Sequence, residues 1–151
     1  MRSVCIEVAL LLKAAGYDER ENLTYEQEDG EWILQRSYQF RRNSEIPANE
    51  VAAPSRWEAM AWLRDKHGIE VYWMPKAKLE GVGYDYIVNV SQYDEKGIPG
   101  AWLRASLMES DLNVCVEYAI KWAIENVLNV KLSADVRASL DDGAVPVIDL
   151  D

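Results

Sequence analysis

One dipeptide, Asp29-Gly30, constrains this chain more than any other feature. It stands between two stretches of alternating apolar and polar residues. A two-residue connection there needs positive φ at both positions, which Asp-Gly tolerates, so the sequence predicts a β-hairpin. Leu23 and Tyr25 mark its first strand; Trp32, Leu34, Tyr38 and Phe40 share one face of the second, with Arg36 among them. Strands joined so tightly pair antiparallel, because a parallel pair needs a crossover of roughly a dozen residues.

Helical spacing precedes the hairpin. Val4, Val8, Leu11, Leu12 and Ala15 follow Ser3, and Gly16 supplies a left-handed stop, giving a helix over about Val4–Ala15. Residues 41–53 (RRNSEIPANEVAA) lose periodicity, carry a proline and read as a linker. Pro54-Ser55 opens a second helix: Ser55 and Glu58 form a capping box, and the apolar pattern runs through Met60, Ala61 and Leu63 to Gly68. Ile69, Val71 and Trp73 then alternate with Glu70, Tyr72 and Met74. A turn at Gly81–Gly83 leads into a strand of Tyr84, Tyr86, Val88 and Val90, Asp94–Gly100 reads as a loop, and Ala101–Leu107 as a third strand with Leu103 and Leu107 inward. The last long helix spans about Asp111–Leu128. Leu112, Cys115, Val116, Ala119, Ala123 and Val127 line one face; Asn113, Glu117, Lys121 and Glu125 line the other, with Glu117–Lys121 at ion-pair spacing.

The expected class is therefore α+β, with helices packed on a mainly antiparallel sheet in the order α-β-β-linker-α-β-β-(β)-α. Residues 1–40 form a helix plus hairpin, 41–53 the linker, 54–130 the core unit, and 131–151 an acidic tail with a short helix and a loose end. A chain of 151 residues buries roughly 68–70% of its unfolded surface, so its core needs neither disulfide nor metal.

Twenty-six acidic against 16 basic residues leave a formal charge of −10. Such a chain is repelled by duplex nucleic acid and by anionic membranes unless its cations are concentrated. Between Arg36 and Lys78, eight basic residues face five acidic ones. A solvated surface or a site for an anionic ligand would each account for that window. No apolar run reaches the roughly 18 residues of a membrane span, and Glu7 interrupts the only signal-like stretch. Cys5 and Cys115 lie far apart in amphipathic helices and read as buried free thiols, as in a reducing cytoplasm.

The residues offer little for catalysis. A serine or cysteine nucleophile needs a base, and the single histidine, His67, stands at a helix end, where it caps carbonyls. One histidine and two scattered thiols suit no zinc site, and Gly81-Val82-Gly83 is a hairpin turn rather than a phosphate loop. Among the carboxylates Asp85 is the hardest to dismiss, but it has no partner at defined spacing. We expect no enzyme, no cofactor and no metal.

The aromatic residues carry the sharper signal. Six Trp and eight Tyr against one Phe favour rings with a hydrogen-bonding tip, as at surfaces that are dry on one side and wet on the other. Trp57 and Trp62 diverge by about 140° on a helical wheel and cannot both face the core squarely. Either these rings form an aromatic-rich core with exposed rims, or Trp62, Tyr72, Tyr84 and Tyr86 stack on a ligand or partner, with Arg56, Arg64 and Lys76 meeting an anion.

The segments APSRWEAMAWLRDKHGIEVYW, YDYIVNV and VEYAIKWAIENVL, with the opening ALLLKAAGYDE, resemble a group of small uncharacterised proteins encoded by bacteriophages and prophages of gut anaerobes. That group shows an AP-x-WLR helix, a GI-x-V strand, a Tyr-rich strand and an Ala-rich final helix. The likeness covers most of residues 5–128; the final helix departs from it, with Val116-Glu117-Tyr118 where the group has an acidic-Ala pattern. The resemblance implies a phage accessory protein in the host cytoplasm and carries no catalytic residue.

Three functions follow as expectations. The first is a non-enzymatic protein that binds a host protein stoichiometrically, in the manner of a counter-defence factor. The second is a small-molecule binder that sequesters an anionic nucleotide signal. The third, a double-stranded-RNA-binding-like module, matches the α-β-β-(β)-α order but is opposed by the charge. An exposed edge at Leu23–Phe40, or leftover aromatic surface, would suit a two-fold homodimer.

Overall fold

The computed structural model describes residues 3–78, 80–94, 96, 99–103, 108–109 and 111–141. The elements are α1 (Ile6–Ala14), β1 (Glu21–Glu28), β2 (Glu31–Arg41), a 3-10 turn (Asn43–Glu45), β3 (Glu50–Ala52), α2 (Arg56–His67), β4 (Ile69–Ala77), β5 (Tyr84–Tyr93), β6 (Pro99–Leu103), β7 (Met108–Glu109), α3 (Leu112–Asn126) and α4 (Ala134–Asp141). This is an α+β fold whose strands all pair antiparallel. They divide between two sheets, β2-β1-β3 and a second built on β4 and β5, with β6 and β7 both paired to β5.

The hairpin forms where Asp29-Gly30 requires it. Both residues have positive φ (51° and 81°), and Glu28 faces Glu31 across the turn. Further along, the register breaks: Leu23 pairs with Arg36 but Glu21 with Arg41, so β2 spends four residues where β1 spends one. Trp32 and Leu34 are buried as expected. Tyr38 and Phe40 lie in the bulge and are exposed, so the expected common face holds only for its first half.

Residues 41–53, read as a linker, contain β3, and Val51 pairs with Tyr25. The buried Asn43 side chain organises this return: it donates to the Tyr17 carbonyl (2.8 Å) and accepts the Ala52 N–H (2.9 Å). Val51, Ala52 and Ala53 are buried, and a single apolar cluster runs from Val4 through both sheets to Ile124. A three-residue strand is too short to show periodicity.

Helix α1 starts two residues after the expected position because its N-terminus is capped from a distance. Val4 N–H donates to the Pro54 carbonyl (2.9 Å), and the Cys5 N–H is taken by the Glu117 carboxylate on α3. Helix α2 follows its sequence closely. Ser55 Oγ accepts the Glu58 N–H (3.1 Å) and donates to its carboxylate (3.0 Å), and Gly68 (φ 64°) ends the helix in the left-handed region.

Beyond Gly68, β4 and β5 are joined at Gly81 and Gly83, both with positive φ, and the Lys78 N–H donates to the Gly83 carbonyl. Val71, Val88 and Val90 are buried on the face that α2 and α3 cover. Of the predicted strand Ala101–Leu107, residues up to Leu103 lie in β6, while residues 104–107 lie outside the described residues, as do residues 142–151 of the tail.

Helix α3 buries Cys115, Val116, Ala119, Ile120, Ala123 and Ile124. Its charged row faces neighbouring helices rather than water, which corrects the expected Glu117–Lys121 pair. Glu117 instead receives Arg56 (3.0 Å), while Lys121 and Arg137 both reach Glu7 (2.9 Å each). The exposed side carries Val114 and Tyr118. Among the described residues, no helix is long and apolar enough to cross a membrane. Cys5 and Cys115 are free thiols, and burial, chiefly, pushes the Cys5 thiol up to about 12, so it stays protonated.

Candidate functional site

The predicted contact residues do not converge on one surface. Two of them, Arg64 and Tyr72, meet in a groove of about 300 Å³ between α2 and β4, with Trp57, Met60, Glu70 and Trp73. Trp57 is 50% exposed, and its ring lies 5.3 Å from that of Trp73 in a tilted arrangement. Capping at Ser55 sets the turn of α2 that presents Trp57, and the β4 pleat places Trp73 on the α2 side and Tyr72 on the other. The groove opens beside the outer edge of β4, which among the described residues pairs only with β5. Burial, first, raises the Tyr72 hydroxyl above its ordinary range, leaving it a neutral donor.

The remaining predicted residues lie elsewhere. Arg56 is 4% exposed and donates to Glu117, so it braces α2 against α3 instead of meeting a ligand. Within the groove, by contrast, Arg64 is exposed and donates to the adjacent Asp65 (3.0 Å). Trp62 is buried edge-on against Tyr17 (5.4 Å) and His67 (4.8 Å). Lys76 is exposed opposite Asp85, whose carboxylate stands 4.0 Å from Lys78. Tyr84 is exposed near the β4–β5 turn, and Tyr86 is half-buried, its carbonyl accepting from Cys115 Sγ.

A second feature was missed by the sequence reading. On the other flank of α2 lies a cleft of about 590 Å³ lined by Tyr17, Trp62, Arg20, Arg42 and Lys66, with Glu19, Glu21, Glu58 and Asp65. At its base Glu21 is 6% exposed and accepts a hydrogen bond from the Tyr17 hydroxyl (2.6 Å). Burial, and then a hydrogen bond with Glu58, push the Glu21 carboxyl up to about 8. Three cations against four acids give this cleft no net preference for an anion. Glu21 and Glu58 are 37 positions apart; the acidic run around one and the capping box around the other gave no sign of their meeting. Among the described residues, no group of three or more His, Cys, Asp or Glu side chains could hold a metal.

No family model, curated protein or solved structure matches the chain.

Proposed function

We propose that this chain is a non-catalytic binding protein that engages a protein partner one-to-one through the aromatic groove between α2 and β4. The observation that carries the reading is the half-exposed Trp57, its ring tilted at 5.3 Å against that of Trp73, on a strand that among the described residues pairs only with β5. Large amphipathic rings left at the surface give up much apolar area on contact and lose little conformational entropy, which is why Trp and Tyr anchor interfaces. An open edge adds main-chain hydrogen bonds for an extended partner segment. At −10 overall the chain steers towards a basic partner. On the resemblance to phage-encoded proteins, that partner is a host protein and the outcome interference with host defence.

Sequestration of an anionic nucleotide is the weaker alternative, because the larger cleft balances its cations with carboxyls and Arg56 is committed to Glu117. The test is capture from bacterial lysate on immobilised wild-type protein and on Trp57→Ala. The reading requires one identified protein retained at one-to-one stoichiometry, an on-rate that falls as salt rises, and loss of capture in the variant with its melting temperature preserved. Capture that Trp57→Ala leaves intact, or an on-rate indifferent to ionic strength, overturns it.

A further inference from the structure

Strand β4 carries a row of main-chain groups that its own sheet does not use. The Lys78 N–H donates to the Gly83 carbonyl (3.1 Å) and the Tyr93 N–H to the Gly68 carbonyl (2.7 Å), one step beyond either end of the β4–β5 register. Opposed residues in an antiparallel pair alternate between bonded and non-bonded, so it is the even-numbered residues of β4 that bond to β5. The odd-numbered ones, Ile69, Val71, Trp73, Pro75 and Ala77, turn their main-chain groups outward, to an edge where among the described residues no strand pairs. Pro75 fits this parity, since a residue without an N–H is tolerated where β5 needs none. An open edge nine residues long is a template for another strand.

We propose that this edge pairs with a second copy of itself: two chains join antiparallel along Ile69–Ala77 about a two-fold axis at Trp73, so that one sheet runs across a homodimer. Charge selects that register. With the axis at Trp73, Glu70 of each copy stands opposite Lys76 of the other and Tyr72 opposite Met74, in the closely spaced non-bonded pairs on the face away from α2. Moving the axis to residue 72 or 74 sets Glu70 against Met74 or Lys76 against Tyr72 and loses both ion pairs. Within one copy the two charges are about 20 Å apart, at roughly 3.3 Å per residue, too far to pair with each other. Their charged neighbours are already engaged: Arg64 donates to Asp65, and Asp85, across from Lys76, stands 4.0 Å from Lys78. At the axis Trp73 exchanges both main-chain bonds with its counterpart, and the Val71 N–H donates to the Pro75 carbonyl of the other copy. The overall charge of −10 opposes association, but it is screened beyond about 8 Å at physiological salt. Strand β2, the edge expected from the sequence to pair, is interrupted by its bulge and is the poorer template. The inference does not rest on the binding reading, but it bears on it: a partner that adds a strand at the groove must displace the second copy.

The test uses the full chain in sedimentation equilibrium across the micromolar range. The wild type should pass from a 17.2 kDa monomer to a species of twice that mass. Glu70→Lys and Lys76→Glu should each weaken self-association at least about tenfold, because each sets like charges opposite one another twice. An equimolar mixture of the two variants should recover it as a heterodimer, and so should the double variant Glu70→Lys/Lys76→Glu on its own. Residue-resolved hydrogen exchange separates edge pairing from face packing. Raising the concentration should slow exchange of the Val71 and Trp73 amides and leave Tyr72 and Met74, bonded to β5 in either state, unchanged. A wild type that stays monomeric throughout overturns the proposal, whatever the outcome of partner capture. A dimer that both single reversals leave within about twofold of wild-type affinity, or one that leaves Val71 and Trp73 exchanging as in the monomer, overturns it as well.

Discussion

Glu117 is the residue whose loss should be felt furthest from its own helix. Its two oxygens serve different elements: one takes the Cys5 N–H at the start of α1, the other the Arg56 guanidinium at the start of α2, at 3.0 Å. Both partners are sheltered, with side-chain exposures of 5% for Arg56 and 17% for Glu117, so solvent screens the pair weakly. Removing one member of a buried ion pair costs about 3–5 kcal/mol, because the remaining charge loses its counter-charge without regaining water. Glu117→Ala should therefore lower the melting temperature by about 6–20 °C, at roughly 2–4 °C per kcal/mol for a chain of this size. The double variant Arg56→Met/Glu117→Gln keeps an acceptor for Cys5 and removes the stranded charge, so it should recover much of that loss. Calorimetry of the wild type and these variants decides the point. A Glu117→Ala protein that melts within about 2 °C of wild type, or a double variant no better than the single one, refutes the reasoning.

Further outcomes follow from single contacts. Glu21 titrates in the folded chain above its ordinary 4.5, so it stabilises the fold at low pH, and that contribution is lost as pH rises from about 4.5 to about 8; Glu21→Gln should flatten the melting curve across that interval and melt above wild type at pH 8, and parallel pH profiles would refute this. Gly68→Ala should cost about 1–3 kcal/mol in urea unfolding, since a Cβ there meets the Tyr93 carbonyl at 2.9 Å and φ is 64°, whereas Gly30→Ala at φ 81° in open space should cost less, about 1 kcal/mol. Arg137→Ala should change global stability by under about 1 kcal/mol, because its side chain is 40% exposed, but should raise hydrogen exchange across residues 134–141.

What was legible in the sequence is what local chemistry decides. The Asp29-Gly30 turn, the Ser55–Glu58 cap, the Gly68 stop and the Gly81–Gly83 turn each act within a few residues, and each element appears where those signals place it. Period-2 alternation identified β4 and β5, and in the fold Val71, Val88 and Val90 are buried. The bulge at Ser37–Phe40 was hidden because alternation continues through it in the sequence while pairing does not. Strand β3 was hidden because three residues carry no period. The division into two sheets depends on which edges meet, and no short segment records that.

The charged residues show the same limit more sharply, and they bear on function. A helix with acids and lysines every four residues reads as having one solvated face, because isolated helices behave so. In this fold α3 is covered on two sides: its apolar stripe lies on β4 and β5, and its charged row meets α1, α2 and α4 through Glu117, Lys121 and Glu125. Water is left the side with Val114 and Tyr118. The same inversion occurs on α2, where Arg56 is buried while Trp57 is exposed. Charge here serves inter-helix bracing, while Trp57, Val114 and Tyr118 are left at the surface.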